Sequence, residues 1–176
     1  MPISISGSGT ITGTSSLTFG SGSGTAITVD TSNRVITSSN KPMVWATMTV
    51  SGGGWANYGA DPGSIAIYNN IKINNGNHYN NTTGIFTAPV AGFYRMMASV
   101  LAGQGNYSTH LRPRKNSVLL ADQAAHMNQI SGWCTIWAIN LVSCAANDTL
   151  SWYASGNGSS IYNIADYSQM IIELVG

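Results

Sequence analysis

The side chains best suited to acid–base chemistry are three histidines, His78, His110 and His126, because imidazole titrates near neutral pH. Each could act as a base oriented by a carboxylate such as Asp122 or Asp166. His78 lies in a polar loop and His126 in a polar connector, so we favour surface or turn histidines. We therefore expect no catalytic histidine.

Motifs for other chemistry are also absent from the sequence. It has no Gly-x-Ser-x-Gly elbow, no P-loop and no HExxH. Asp166 and Glu173 are too far apart in sequence to argue for a glycosidase acid pair. No His/Cys cluster has metal-ligand spacing. We predict that the protein is not an enzyme and holds no metal and no cofactor.

Two cysteines, Cys134 and Cys144, are the only ones in the chain, and both could lie within neighbouring strands. A disulfide is one interpretation, but two cysteines do not make a disulfide scaffold. We favour free buried thiols that act as small apolar side chains.

The composition argues against several classes of partner. Charged residues are 7% of the chain and the net charge is +1, so we expect neither nucleic-acid nor membrane-surface binding. No apolar run approaches the roughly 20 residues that cross a bilayer. The hydrophobic content of 43% is enough for a core, and the abundant Gly, Ser, Thr and Asn favour short strands joined by turns. Because so few charges protect this surface from association, we expect an assembly to cover much of it.

The residue pattern of the chain changes after residue 41. Residues 1–41 alternate apolar with small polar residues between glycines, which predicts short strands, although a disordered tail is the alternative. Strands this short need a partner to cover their apolar sides. We predict that this segment is an arm that attaches to another protein or intertwines subunits. Its attachment residues would be Ile3, Ile5, Ile11, Leu17, Phe19, Ile27 and Val29.

Residues 42–176 form the second predicted domain, in which short apolar runs separated by turn residues indicate a β-sandwich or barrel. The run Trp133–Ser143 is apolar on both faces, and one face of a sandwich strand is core. We therefore predict that the other face meets another subunit. The residues on that face are Trp133, Trp137, Ile139 and Leu141.

Two loops carry side chains that could contact a ligand. Trp55 and Tyr58, in a Gly-rich loop, could stack on a sugar, although we favour packing at a subunit contact. Arg112, Arg114 and Lys115 are the only basic cluster and could meet an acidic surface, although we favour a solvated turn.

The stretch from Asn74 to Tyr94 closely resembles the central motif of the complement C1q globular-head family, in which an Asn and a Tyr precede Gly, Phe, Pro and Gly-x-Tyr. Residues 114–117 and 147–150 lie where that family has a Lys-Asn-Gly hairpin and a Gly-Asp-x-Val turn. In this chain, Ser117 and Asn147 replace the two glycines. The motif residues here are Asn74, Tyr79, Gly84, Phe86, Pro89, Gly92 and Tyr94.

This resemblance implies a fold, an assembly and a type of role. The fold is an all-β, ten-stranded jelly-roll sandwich of the C1q/TNF-like type, and the assembly is a tight homotrimer. The role is binding or structural rather than enzymatic. Tyr79, Phe86, Pro89, Gly92 and Tyr94 would then contribute to the core and the trimer contact.

The N-terminal arm carries a second resemblance. Residues 3–13 resemble the opening of many bacteriophage virion proteins, and residues 29–42 resemble the lead-in to phage tail-fibre modules of the complement-like type. Because Met1–Gly7 has neither a basic stretch nor an apolar core, we expect no secretory signal and synthesis in the host cytoplasm.

The two resemblances together imply a trimeric structural protein of the virion surface, either a capsid decoration (cement) protein or a short fibre. Its arm would bind capsid or tail proteins, and its jelly roll would project outward. The alternative function is the tip of a tail fibre that binds a host receptor or a host surface glycan.

Overall fold

The computed structural model describes residues 17–21, 24–29, 35–37, 41–49, 55–56, 58, 63–103, 108–120, 125–128, 132–156, 161–162 and 167–175. The chain has two compact units, Met1–Lys41 and Pro42–Gly176. The first unit contains an antiparallel sheet in the order β1 (Leu17–Ser21), β2 (Gly24–Val29) and β3 (Val35–Thr37). Its register pairs Leu17 with Val29 and Phe19 with Ile27. The arm residues Ile3, Ile5 and Ile11 lie outside the described residues.

The second unit is built of strands throughout its described part. Its first half contains β4 (Met43–Thr47), β5 (Trp55–Ala56), β6 (Ser64–Ile65), β7 (Asn70–Asn75), β8 (Tyr79–Asn80), β9 (Ile85–Thr87) and β10 (Gly92–Ala102). Its second half contains β11 (Ser108–Lys115), β12 (Val118–Leu119), β13 (Ala125–Asn128), β14 (Cys134–Cys144), β15 (Thr149–Gly156), β16 (Ile161–Tyr162) and β17 (Gln169–Leu174). Because the described residues contain no helix, none of them forms a helix able to cross a membrane.

These strands form two seven-stranded antiparallel sheets. In the β10 sheet the order is β5-β16-β10-β17-β4-β7, with β14 also paired to β10. In the β11 sheet the order is β12-β11-β15-β9-β8, with β13 paired to β11 and β6 paired to β15. The longest ladder joins β10 to β14 over the full length of both strands. Neighbouring strands are mostly far apart in sequence, so crossovers connect the two sheets.

The core lies between the sheets, and strands such as β11 and β14 contribute alternate residues to it, as the two-residue period of a strand requires. Tyr94, Met96 and Ala98 of β10 point into it, and Trp152 of β15 meets them from the β11 sheet as one of the largest fully buried side chains. Folding therefore buries one face of each sheet and leaves the other face to solvent or to a partner.

The residues of the C1q-like motif hold the start of this core together. The Asn74 amide group brackets Tyr79, donating to its carbonyl at 2.9 Å and accepting from its backbone N–H at 3.2 Å. Phe86 packs edge-to-face on Tyr94 with ring centroids 5.8 Å apart. Burial raises the pKa of Tyr79 to about 12. Pro89, which precedes β10, and Gly92, its first residue, are half-buried.

Candidate assembly surface

The outward side of β14 is apolar and open in the single chain. Trp137, Ile139 and Leu141 are 52%, 62% and 57% exposed, and Trp133 precedes the strand with its side chain exposed. The intervening residues of β14 are buried in the core. The two-faced apolar pattern of the sequence therefore corresponds to one core face and one exposed face.

The strand register extends this surface across the β10 sheet. Ile139 pairs with Met97 of β10, and Met97 pairs with Ile171 of β17. Trp45 of β4 lies opposite Ile171, and Ile73 of β7 lies opposite Trp45. Since neighbouring strands are about 4.8 Å apart, these five side chains form an apolar row about 19 Å long. We call Ile139, Met97, Ile171, Trp45 and Ile73 the apolar row.

The members of the apolar row differ in how much of their surface stays accessible. Ile139 and Trp45 are exposed, while Met97, Ile171 and Ile73 are half-buried beside them. The Trp45 indole N–H donates to the Gln169 side-chain oxygen at 3.3 Å, which leaves the ring as part of the surface. A continuous apolar strip of this kind is typical of an interaction surface rather than of scattered exposed residues.

An ion pair lies in the middle of this face. Arg95 of β10 is opposite Glu173 of β17, one row of side chains from the apolar row. The Arg95 Nε donates to Glu173 Oε1 at 2.8 Å, and its Nη2 contacts the same oxygen. The Arg95 side chain is 50% exposed and the Glu173 side chain 17%. On either side of the pair lie Leu141 and Met43, both apolar.

The basic cluster predicted from the sequence is divided between the two faces of β11. Arg112 Nη2 lies 2.6 Å from His110 Nδ1, and the Arg114 guanidinium lies 3.8 Å above the Tyr153 ring. Lys115 points to the other side and donates to the Ser143 carbonyl at 2.8 Å. The division follows from the alternation of side chains along a strand.

Asp148 neutralises Lys115 and organises the turn before β15. Its carboxylate accepts from Asn116 Nδ2 and from the Ala145 amide, both at 2.8 Å, and lies 2.9 Å from Lys115 Nζ. The Asn116 hydrogen bond first, then those from Lys115 and Ala145, lower the pKa of Asp148 to about 2. A carboxyl group ionised this strongly holds a turn and is a poor proton donor near neutral pH.

The second predicted ligand loop contains Trp55 and Tyr58. The backbone of Trp55 is part of β5 and pairs with Tyr162, and its side chain lies outside the described residues. Tyr58 is half-buried against the core, with its hydroxyl 3.8 Å from Met48 Sδ. Tyr58 therefore belongs to the margin of the core, and no platform of two aromatic rings can be described.

The two cysteines mark the two ends of β14, so the expectation that they lie in neighbouring strands is wrong. Both are free thiols, but only Cys144 is buried, and the expectation of a buried thiol is wrong for Cys134, which is exposed. Along an extended strand their separation is about 33 Å, too far for a bond between them. Among the described residues, no three His, Cys, Asp or Glu side chains group closely enough to hold a metal ion.

Comparison with known proteins identifies the architecture. The C1q domain family model matches residues 56–135. The globular domain of zebrafish complement 1qA protein is similar, with a TM-score of 0.58, 14% sequence identity, and coverage of 77% of this chain and 98% of that chain. Eiger TNF from S. frugiperda is similar too, with a TM-score of 0.57, 10% identity, and coverage of 77% and 93%. No curated protein matches the chain.

The comparisons confirm the predicted fold class, an all-β jelly-roll sandwich of the C1q/TNF-like type. Domains of this type commonly form homotrimers. They are generally binding or structural modules rather than enzymes. The prediction was of ten strands, and the described part of the sandwich has fourteen. Five of these fourteen are short pieces of only two residues.

Proposed function

We propose that this chain, whose fold is the jelly roll of C1q and TNF proteins, is a non-enzymatic structural protein that works as a homotrimer. The observation that carries the proposal is the outer face of the β10 sheet, where the apolar row crosses five strands. Covering this row removes apolar surface from water, which is the main driving force of association. We propose that further copies of the chain cover the apolar row.

Two features of the face support copies of the chain as the partner. At its centre the face carries a pair of opposite charges, Arg95 and Glu173, so this part of the face is complementary in charge to a second face of the same kind. Homotrimers are also the common assembly of domains with this fold. In a closed ring of three, each copy would contribute the β14 side of its face to one neighbour and the β4 side to the other.

We further propose that the trimer is a capsid decoration protein or a short fibre on a bacteriophage particle, bound to capsid or tail proteins through residues 1–41. The support is the resemblance of residues 3–13 and 29–42 to phage virion proteins, together with the separation of Met1–Lys41 as its own compact unit. A small sheet such as β1–β3 can bind a partner by adding strands to it.

The alternative, a glycan- or receptor-binding tip, has less support among the described residues. The basic cluster that such a tip would use is divided: Arg112 and Arg114 lie on one face of β11, and Lys115 lies on the other. Asp148 neutralises Lys115. Tyr58 packs against the core instead of forming an open platform.

Microscopy of particles tests the attachment. Gold-labelled antibodies against residues 42–176 should decorate particles that carry the full chain, at the capsid or at the tail. A chain without residues 1–41 should keep the mass of a trimer but leave the particles undecorated. Particles that stay decorated without the arm would contradict the attachment, and loss of the trimer would assign the arm to trimerisation instead.

A further inference from the structure

We infer that the Arg95–Glu173 pair determines which copies of the chain associate and in which register, an inference that rests on the proposed assembly through the apolar row. The pair is a recognition element for a second copy of this chain. Three observations support this assignment. They are the position of the pair, its unused hydrogen-bonding groups, and the weak directional preference of the apolar contacts around it.

The position of the pair makes it central to the face. Arg95 lies between Leu141 of β14 and Glu173 of β17, and Glu173 lies between Arg95 and Met43 of β4. The apolar row lies two residues from the ion pair along each strand, on one side of it. On the other side is exposed Phe93, whose carbonyl accepts from the Val175 amide. A copy that covers the apolar row therefore covers the ion pair as well.

The pair keeps groups that a neighbour can use. Both contacts inside the chain go to one carboxylate oxygen, Glu173 Oε1. Among the described residues, neither Glu173 Oε2 nor Arg95 Nη1 makes a hydrogen bond. A guanidinium has five N–H donors and a carboxylate about four acceptor positions, so each partner has spare capacity. These spare groups are the polar contacts available to the facing copy.

The apolar row cannot set the register by itself. Contact between apolar side chains has little directional preference, so sliding one face along the other by a residue pair still brings apolar side chains together. A covered charge without a partner is strongly unfavourable. Only a register that supplies an acceptor to Arg95 and a donor to Glu173 avoids that cost, and a copy with the opposite charge order cannot supply them.

Exchange of the two charges tests the inference. The variant Arg95→Glu/Glu173→Arg restores an ion pair of reversed order, so it should form trimers with itself. Co-expressed with wild type, it should form few mixed trimers, because at a mixed contact like charges face each other. Since the exchange leaves the mass unchanged, one chain carries a short tag, and native mass spectrometry counts the mixed species.

A matched control and the alternative outcomes separate this inference from the proposed function. Arg114→Glu changes a charge on the β11 sheet, and it should mix with wild type in the random 1:3:3:1 proportions, a ratio that follows from chance alone. If the exchanged variant mixes equally well, or folds but stays monomeric, the inference is overturned while the trimer stands. A monomeric wild type would instead overturn the proposed function, and this inference with it.

Single and double neutral variants provide a second measurement. Arg95→Met or Glu173→Met leaves one covered charge unpaired at each of the three contacts, and the concentration at which half of the chain is trimeric should rise at least about 150-fold. Arg95→Met/Glu173→Met should associate near the wild-type concentration but as a mixture of oligomers. A uniform trimer of the double variant would overturn the inference. Circular dichroism of each variant at low concentration verifies that the single chain is folded.

Discussion

Ile139→Ser should weaken the trimer strongly while leaving the single chain folded. Ile139 is 62% exposed in the single chain, so folding covers only a minor part of its side chain. Fully burying an isoleucine contributes about 1.5–3 kcal/mol, so covering the remainder contributes about 1–2 kcal/mol in each subunit. Summed over three subunits, the loss is about 3–6 kcal/mol per trimer.

The assay for this prediction is sedimentation equilibrium over a range of concentrations. The midpoint of trimer dissociation varies with the square root of the trimer dissociation constant. The predicted loss therefore raises the midpoint by about 10- to 150-fold. The unfolding free energy of the isolated chain should fall by only about 0.5–1 kcal/mol, the contribution of the part of the side chain that folding itself covers.

The matched control is Val118→Ser, which removes an even more exposed apolar side chain, 67% exposed, from β12 of the β11 sheet. It should leave the midpoint unchanged, because this face is outside the proposed contact. The reasoning would be refuted if Ile139→Ser moved the midpoint no further than Val118→Ser does.

Three further predictions concern the single chain. Ser117→Gly should raise the melting temperature by about 2–4 °C. Ser117 has φ 65°, and removing the backbone strain of a left-handed serine stabilises the fold by about 1 kcal/mol. An unchanged or lower melting temperature would count against this prediction. Gly63→Ala should destabilise by about 2–5 kcal/mol in urea unfolding, because φ is +76° and the new Cβ would clash with the Ala154 carbonyl oxygen. A cost below about 1 kcal/mol would refute the clash. The contribution of Asp148, whose pKa is about 2 against 3.8 when unperturbed, should be complete above about pH 4 and decline as the pH falls through 2. A difference in urea midpoint between wild type and Asp148→Asn that is as large at pH 2 as at neutral pH would contradict it.

Features that depend on neighbours in sequence could be predicted from the chain alone. The alternation along Trp133–Ser143 separated the core face of β14 from its exposed face, because side chains in a strand alternate with period two. The left-handed turn at Ser117 follows from the family position that usually holds glycine. The same alternation could have separated Lys115 from Arg114, which are adjacent in sequence and therefore point to opposite sides.

Features that depend on strand register could not be predicted in this way. The apolar row joins side chains from five strands, and its members meet only through the specific pairing of β14, β10, β17, β4 and β7. Arg95 and Glu173 are 78 residues apart, and nothing near either residue in the sequence points to the other. The prediction that the two cysteines lie in neighbouring strands was wrong because β14 extends unbroken over eleven residues and contains both of them.

The most direct test of the central claim is the mass of the full chain in solution. Sedimentation equilibrium at micromolar concentration should give three times the 18.5 kDa of the single chain, with no change in mass when salt is raised, because the contact is mainly apolar. A stable species with the mass of one chain at that concentration would contradict the account, because the outer face of the β10 sheet would then remain open to water.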